Sequence, residues 1–227
     1  MQNEKLKVTQ SEENYIKAIY HLTSVEEATV ATNTLAAYMD TKPSSVTDML
    51  KKLAEKKLID YVKYKGAKLS ALGKTTALTV IRKHRLWEVF LVKKLNFSWD
   101  EVHEVAEQLE HIKSEKLIDG LDKLLDYPKS DPHGDPIPSK NGVLKETKKR
   151  LLEDVPIGVQ GTCVGVKDSS STFLKFLDKI KIGLGDTIVV IDKEQFDGSM
   201  HIKTNLKSMR VSNQIAANLY IEIEDDL

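Results

Sequence analysis

Residues 41–57 read TKPSSVTDMLKKLAEKK, and the periodicity of this stretch decides how the chain around it folds. Pro43 has a fixed φ and no N–H to lose, so it suits the first position of a helix. From there Val46, Met49, Leu50 and Leu53 recur at i, i+3, i+4 and i+7, which predicts an amphipathic helix with one apolar stripe. The other side carries Ser44, Ser45, Thr47, Asp48, Lys51 and Lys52. Small hydroxyl residues near a helix N-terminus permit close approach to phosphates and base edges. The open N–H groups of the first turn also attract phosphate oxygens. A solvated lysine-rich face is the plain alternative, so the neighbouring segments must decide.

Upstream, Tyr15, Ile16, Ile19 and Leu22 predict a helix over Ser11–Val25, and Asn33 is placed to cap a short helix with Leu35, Ala36 and Met39. Downstream, Leu58–Tyr64 leans to strand, Lys65-Gly66 to a turn and Ala67–Ser70 to a returning strand. Helix, turn, helix, hairpin is the order of a winged helix-turn-helix. Lys63, Lys65 and Lys68 add positive charge on the wing. Order and charge together favour DNA over a merely solvated face.

A long helix is expected from Ala71 to Leu95, with Leu72, Val80, Ile81, Trp87 and Leu91 among its buried positions. Ser98 and Glu101 have capping-box spacing and open a helix reaching about Ile112. Leu117, Ile118, Leu121, Leu124 and Leu125 mark a third helix. Tyr127–Gly142 holds four of the six prolines and reads as a loop. From Val155 the pattern turns to short β-rich runs: strands at Thr162–Val166, Thr187–Ile191, His201–Thr204 and Tyr220–Ile223. Asp197-Gly198 supplies a hairpin turn and Thr172–Ile180 a helix.

The 227 residues carry 34 basic and 34 acidic side chains, a zero balance that by itself argues against a nucleic-acid binder. The average hides an asymmetry. Thr41–Lys94 has 14 Lys/Arg against 4 Asp/Glu, whereas Leu95–Asp126 has 9 acids against 3 bases. Such neighbours suit two partners of opposite charge, polyanionic DNA and a metal cation. The single cysteine, Cys163, excludes an intrachain disulfide and the paired-thiol zinc patterns, which suits a reducing cytoplasm. The polar start MQNEKLKVTQ lacks a signal-peptide core, and no run spans a bilayer, so no membrane partner is expected.

Within DEVHEVAEQLEHI, residues 100–112, the side chains of His103, Glu107, Glu110 and His111 share one arc of the helix, away from Val102, Val105, Ala106, Leu109 and Ile112. Imidazole and carboxylate donors without thiolate suit Mn(II), Fe(II) or Zn(II); an acidic solvated face with incidental histidines is the competing reading. His84 and Glu88 share a face at i, i+4, and Asp131 and His133 form a pair in SDPHGDP, where turn chemistry alone also accounts for the aspartates and prolines.

The stretches SEENYIKAIYHL, KPSSVTDMLKKL, RKHRLWEVFLV, WDEVHEVAEQLEHI and LLDYPKSDPHGDPIP cover nearly all of residues 11–140. In that order they resemble the diphtheria toxin repressor family, and within it the manganese transport regulators with a C-terminal domain. The resemblance implies a mainly α chain with a small β domain: a winged helix-turn-helix over 1–73, a helical metal-binding and dimerisation domain over 74–142, a linker over 143–154, and an SH3-like (FeoA-type) β-barrel over 155–227. It implies a homodimeric repressor of metal-uptake genes that binds operator DNA, with Mn(II) as corepressor, Fe(II) as the alternative, and Zn(II) or Co(II) as substitutes. The activating metal site implied by the family uses Glu107, Glu110 and His111. Iron-responsive members carry cysteine at the position of Glu107, so glutamate tilts the reading to manganese. A further ligand is implied from the first helix at Asn14, where relatives carry aspartate or methionine. A two-metal subtype carries glutamate where Lys17 stands, so its cluster is not expected to form here in the same way. An ancillary site is implied either from His84, Glu88 and His103 or from Glu88, Asp131 and His133, each joined by Asp168.

Two other classes remain open from the residues. A metallohydrolase also uses His/Glu clusters, but nothing resembles HExxH, a nucleophile elbow or a phosphate loop. A winged-helix regulator sensing an organic ligand would leave the acidic residues merely solvated.

Overall fold

A computed structural model describes residues 7–23, 29–63, 65–145 and 148–223. The chain divides into two compact units. The first comprises Met1–His84, Glu107–Glu115 and Pro138–Leu144, and the second Arg85–Ala106, Lys116–Ile137 and Lys145–Leu227.

The first unit opens with α1 (Gln10–Leu22), whose start is set by a capping box absent from the sequence reading. Glu12 N–H donates to Thr9 Oγ1 at 3.3 Å, and Thr9 N–H donates to Glu12 Oε2 at 2.8 Å. The Lys56 ammonium adds an ion pair to Glu12 at 2.8 Å. The predicted extension of this helix to Val25 falls partly outside the described residues. Next come α2 (Thr32–Tyr38) and α3 (Pro43–Glu55). Ala31, with no side-chain cap, precedes α2, so Asn33 lies inside the first turn instead of capping it. Pro43 opens α3 as expected, and Val46, Leu50 and Leu53 are fully buried. They join Ile16, Ile19, Leu35 and Leu58 in one core, where each such side chain contributes roughly 1.5–3 kcal/mol of burial. Strands β1 (Ile59–Val62) and β2 (Gly66–Leu69) pair antiparallel as the wing, with Val30 bridging to Ala67. Gly66 has φ +104°, and a Cβ there would meet Val30 O at 2.4 Å, so the wing turn needs glycine.

Helix α4 (Ala71–Leu95) runs over the predicted span, and the division between the units falls within it. Val80, Ile81, Trp87 and Leu91 are buried, but Leu72 is 49% exposed. It lies in the first turn, next to Gly73, whose missing Cβ accommodates Leu58 O. Helix α5 (Val102–Leu109) ends before the expected Ile112, and α6 is Glu115–Leu124. Ile118, Leu121 and Leu125 are buried, whereas Leu117 and Leu124 remain exposed.

The second unit contains a six-stranded antiparallel sheet in the order β3-β8-β4-β5-β6-β7. Its strands are β3 (Arg150–Leu151), β4 (Gln160–Val166), β5 (Thr187–Lys193), β6 (Met200–Thr204), β7 (Ser208–Val211) and β8 (Leu219–Glu222). Register shifts at Cys163/Gly165 and Val190/Asp192 bend the sheet around its core. Helix α7 (Ser171–Ile180) packs Leu174 and Leu177 into that core, and α8 is Asn213–Ala216. The stretch read as a linker carries β3 and a 3-10 turn, Leu152–Asp154, with Leu152 fully buried.

Candidate metal centre

In the first unit, three elements meet around the predicted ligands. Helix α1 supplies Glu13, Asn14 and Lys17, a grouping set by the 3.6-residue repeat. Its opposite face buries Tyr15, Ile16 and Ile19 in the core. Helix α4 supplies Lys83 and His84, α5 supplies Glu107, and the turn after α5 supplies Glu110 and His111. In that turn Glu110 and His111 are engaged by side chains from α1 and α4. Glu110 is completely buried, with Oε2 2.7 Å from His84 Nδ1. The Lys17 ammonium donates to both Glu110 oxygens at 2.7 and 2.8 Å and to Glu107 Oε1 at 2.5 Å. Burial alone would raise the Glu110 carboxyl, but the His84 hydrogen bond and the Lys17 charge outweigh it and hold it below its ordinary value. Burial pulls the Lys83 ammonium below its ordinary value against the opposing charges of Glu13 and Glu110.

His111 Nδ1 lies 2.6 Å from Glu13 Oε2, while Nε2 faces Glu110 Oε1 at 3.7 Å. A carboxylate on one ring nitrogen fixes the tautomer and leaves the other as a lone-pair donor, the arrangement found behind metal-binding histidines. Ligand atoms of His84, Glu107 and Glu110 all lie within 4.8 Å of one another. Asn14 Oδ1 is buried and has no hydrogen-bond partner among the described residues. An orphaned buried oxygen costs free energy unless something accepts its lone pairs, and a cation does so. Oxygen and imidazole donors without thiolate therefore fit Mn(II), Fe(II), Co(II) or Zn(II). Glu13, Lys83 and the bridging position of Lys17 were not foreseen as parts of this cluster. The only sequence signal was the Glu13/Lys17 spacing of i, i+4, which equally describes an ordinary surface pair.

The second unit holds another cluster. Glu88, Asp131 and His133 are all buried, with ligand atoms within 4.8 Å of one another. His133 Nδ1 lies 3.7 Å from Glu88 Oε2, and Nε2 lies 2.7 Å from the carbonyl oxygen of Trp99. His103, 57% exposed at its side chain, approaches Glu88 Oε1 at 3.5 Å. Asp131 Oδ1 accepts the N–H groups of His133 at 2.8 Å and Asp135 at 3.0 Å. Arg85 holds the same loop through Asp131 Oδ2 at 3.4 Å and Pro136 O at 2.6 Å. Gly134, with φ +86°, lets the loop approach β4, since a Cβ there would meet Val164 O at 1.9 Å. Burial, with Glu88 and Asp135 adding repulsion, pushes the Asp131 carboxyl up to about 6. Burial lowers the His133 imidazole, but Glu88 and Asp131 overcome it and carry it to about 9.

Asp168 accepts the Ser170 N–H at 2.8 Å in the turn before α7. It joins none of the clusters of three or more ligand atoms found among the described residues. His84 Nδ1 lies 2.7 Å from Glu110 Oε2 in the first unit.

On α3, Ser44, Ser45, Asp48, Lys51 and Lys52 are exposed, as is Lys65 on the wing, while Thr47 and Lys68 are half-buried. The Thr47 hydroxyl donates to Pro43 O at 2.9 Å, and Asp48 pairs with Lys51 at 3.2 Å.

Three family descriptions match the chain in sequence. "Iron dependent repressor, N-terminal DNA binding domain" covers residues 7–67. "Iron dependent repressor, metal binding and dimerisation domain" covers 70–139, and "FeoA domain" covers 150–223. The HTH-type transcriptional regulator MntR of Oceanobacillus iheyensis is 31% identical over 145 residues, 64% of this chain and 96% of that protein. The chain belongs to the diphtheria toxin repressor family. The iron-dependent repressor IdeR of Mycobacterium tuberculosis is 32% identical over 126 residues, 56% of this chain and 54% of its own length. A manganese-dependent transcriptional repressor solved in complex with manganese superposes with a TM-score of 0.83 at 30% identity, covering 93% of this chain and 99% of that one. The three-part architecture expected from the sequence is thus the architecture of this diphtheria toxin repressor relative.

Proposed function

We propose that this protein is a Mn(II)-responsive transcriptional repressor that binds operator DNA as a homodimer and controls metal-uptake genes. The observation that carries the reading is the junction in the first unit. Lys17 on α1 reaches Glu107 and Glu110, whose ligand atoms converge with that of His84, and Asn14, on the same side of α1 as Lys17, has a buried oxygen with no hydrogen-bond partner among the described residues. In this reading residues 1–73 read DNA, 74–142 bind metal and dimerise, and 155–227 form the FeoA-type domain, whose sheet and core also take in β3 and Leu152 from the stretch read as a linker. Asn14, Glu107, Glu110 and His111 hold the activating ion, with Glu13 orienting His111. His84 braces Glu110. The ion supplies positive charge that draws oxygen and imidazole donors from separate elements onto one centre.

The consequence runs through α1. The apolar face of α1 shares a core with α2, α3 and the wing, so restraining α1 restrains the reading helix. Ser44, Ser45, Thr47 and Asp48 then meet the major groove, and Lys51, Lys52, Lys65 and Lys68 meet phosphates. Restraint narrows the set of α3 positions to those that fit two half-sites, a population shift. Glu88, Asp131 and His133, with His103 beside Glu88, serve as the ancillary site in the second unit. Glutamate at 107 favours Mn(II), while the similarity to IdeR keeps Fe(II) as the second reading.

No described helix is long and apolar enough to cross a membrane. The family is one of transcriptional regulators, and catalysis has no part in the reading.

The direct test uses a duplex selected from a random-sequence pool in the presence of Mn(II). Fluorescence anisotropy is expected to show tight binding with Mn(II) and weak binding with chelator, and loss of the difference in Glu107→Ala. Equal affinity of the wild type with and without Mn(II) sinks the corepressor role. Parallel titrations with Fe(II) and Zn(II) rank the metals.

A further inference from the structure

Lys17 stands where its charge cannot be incidental. Its side chain is only 12% exposed, and the three donors of its ammonium meet three carboxylate oxygens, one from Glu107 and two from Glu110. The Glu110 side chain has no exposure to water at all. These are the oxygens that a metal at this cluster needs. Around them, the carboxylates of Glu13, Glu107 and Glu110 face the ammonium groups of Lys17 and Lys83, with His84 and His111 between and Lys113 near Lys83. The chain has therefore neutralised most of its own acidic cluster before any ion arrives.

We propose that Lys17 is a tethered cation that competes with the metal for Glu107 and Glu110 and thereby sets the metal concentration at which the protein responds. The proposal rests on the reading of this cluster as the activating metal site. A competitor on the same chain acts at a fixed, high effective concentration that no dilution removes. Metal binds only the fraction of molecules in which the ammonium has left the carboxylates, so apparent affinity falls in proportion to that fraction. When metal leaves, the same ammonium returns, satisfies Glu110 and keeps α1 joined to the turn after α5. Lys17 thus has two linked effects: it stabilises the metal-free protein and weakens the metal.

Those effects have opposite signs in one variant, which separates them from a merely structural role. Full-length wild type, Lys17→Gln, Lys17→Met, Lys17→Arg and Glu110→Gln are titrated with Mn(II) against a fluorescent chelator, and melted in excess chelator. Lys17→Gln and Lys17→Met are expected to bind Mn(II) about tenfold tighter, as for a site that is free about a tenth of the time. Their metal-free melting temperatures are expected to fall while the rise produced by Mn(II) grows. Lys17→Arg, which keeps the charge, stays near wild type. Unchanged or weaker Mn(II) binding in both neutral variants, with folding verified by circular dichroism, overturns the proposal. Should Glu110→Gln leave every Mn(II) binding event intact, the metal-site reading itself fails, and the proposal with it.

Discussion

The two acidic clusters are built from the same residue types and held by opposite means. In the first, Glu110 is fixed by side chains alone: the Lys17 ammonium and the His84 ring. In the second, Asp131 is held chiefly by backbone, Oδ1 accepting two N–H groups of its own loop, while Arg85 pairs with Oδ2 and donates to Pro136 O. Cations near Glu110 hold its carboxyl down, whereas burial beside Glu88 and Asp135 pushes the Asp131 carboxyl up. A flexible lysine can give way to an ion, but an Asp-centred turn cannot rearrange without losing its hydrogen bonds. On the function proposed above, this contrast suits the first cluster to exchange and the second to permanence.

The comparison breaks most readily at Glu110. Glu110→Ala leaves Lys17 with one carboxylate and His84 with none from this residue, a partly unpaired buried charge costing about 3 kcal/mol. Thermal melts in chelator are expected to show that loss, and Mn(II) is expected to restore little of it. Wild-type stability in this variant would remove the first cluster from the mechanism.

Asp131 sharpens the contrast with a pair of variants. Asp131→Ala strands two buried N–H groups and is expected to cost about 2 kcal/mol in urea unfolding. Asp131→Asn keeps an acceptor oxygen and removes a buried charge, so near pH 7 it is expected to lie within about 0.5 kcal/mol of wild type. Equal losses from both would mean that the charge, and not the turn, holds the loop.

Acidity gives a smaller handle on the second cluster. The folded-state value of His133, about 9, lies above its ordinary 6.5, so its contribution is complete below pH 6.5 and is lost as pH rises through 9. Asp131, raised from 3.8 to about 6, acts the other way: its cost is present above pH 6 and is relieved as pH falls toward 3.8. Urea melts of metal-free protein between pH 6.5 and 9 are expected to show falling stability, with a shallower slope in His133→Gln. An identical slope in the variant assigns the pH dependence elsewhere. A small change is also expected at Lys83, whose ammonium lies 3.9 Å from Glu13. Lys83→Met should alter metal-free stability by less than about 1 kcal/mol, since burial already disfavours the charge there. A loss matching Glu110→Ala would make Lys83, not Lys17, the main internal cation.

Much of this was legible beforehand because it rests on local repeats. The span of α4 and the apolar stripe of α3 follow from side chains recurring once per turn, and the start of α3 from Pro43, whereas the arc of Glu107, Glu110 and His111 was read on a helix that in fact ends at Leu109. Where elements were short, the pattern was too brief to read. The two residues of β3 make a single strand repeat and the four of α8 barely one helical turn. Exposure of Leu72, Leu117 and Leu124 was not legible either, because an apolar residue at the right phase shows a face and not what covers it.

By itself, then, the order of residues determined the element types, the reading helix with its basic wing, and a thiolate-free donor set. These depend on interactions within one or two turns of chain. Only the tertiary structure decided that Lys17 meets Glu110 across 93 residues, that His111 is held by Glu13 across 98, and that His84 braces Glu110. Charges so far apart in sequence carry no periodic signal. They acquire partners only when the burial of Ile16, Ile19 and their neighbours has turned the polar face of α1 toward the turn after α5.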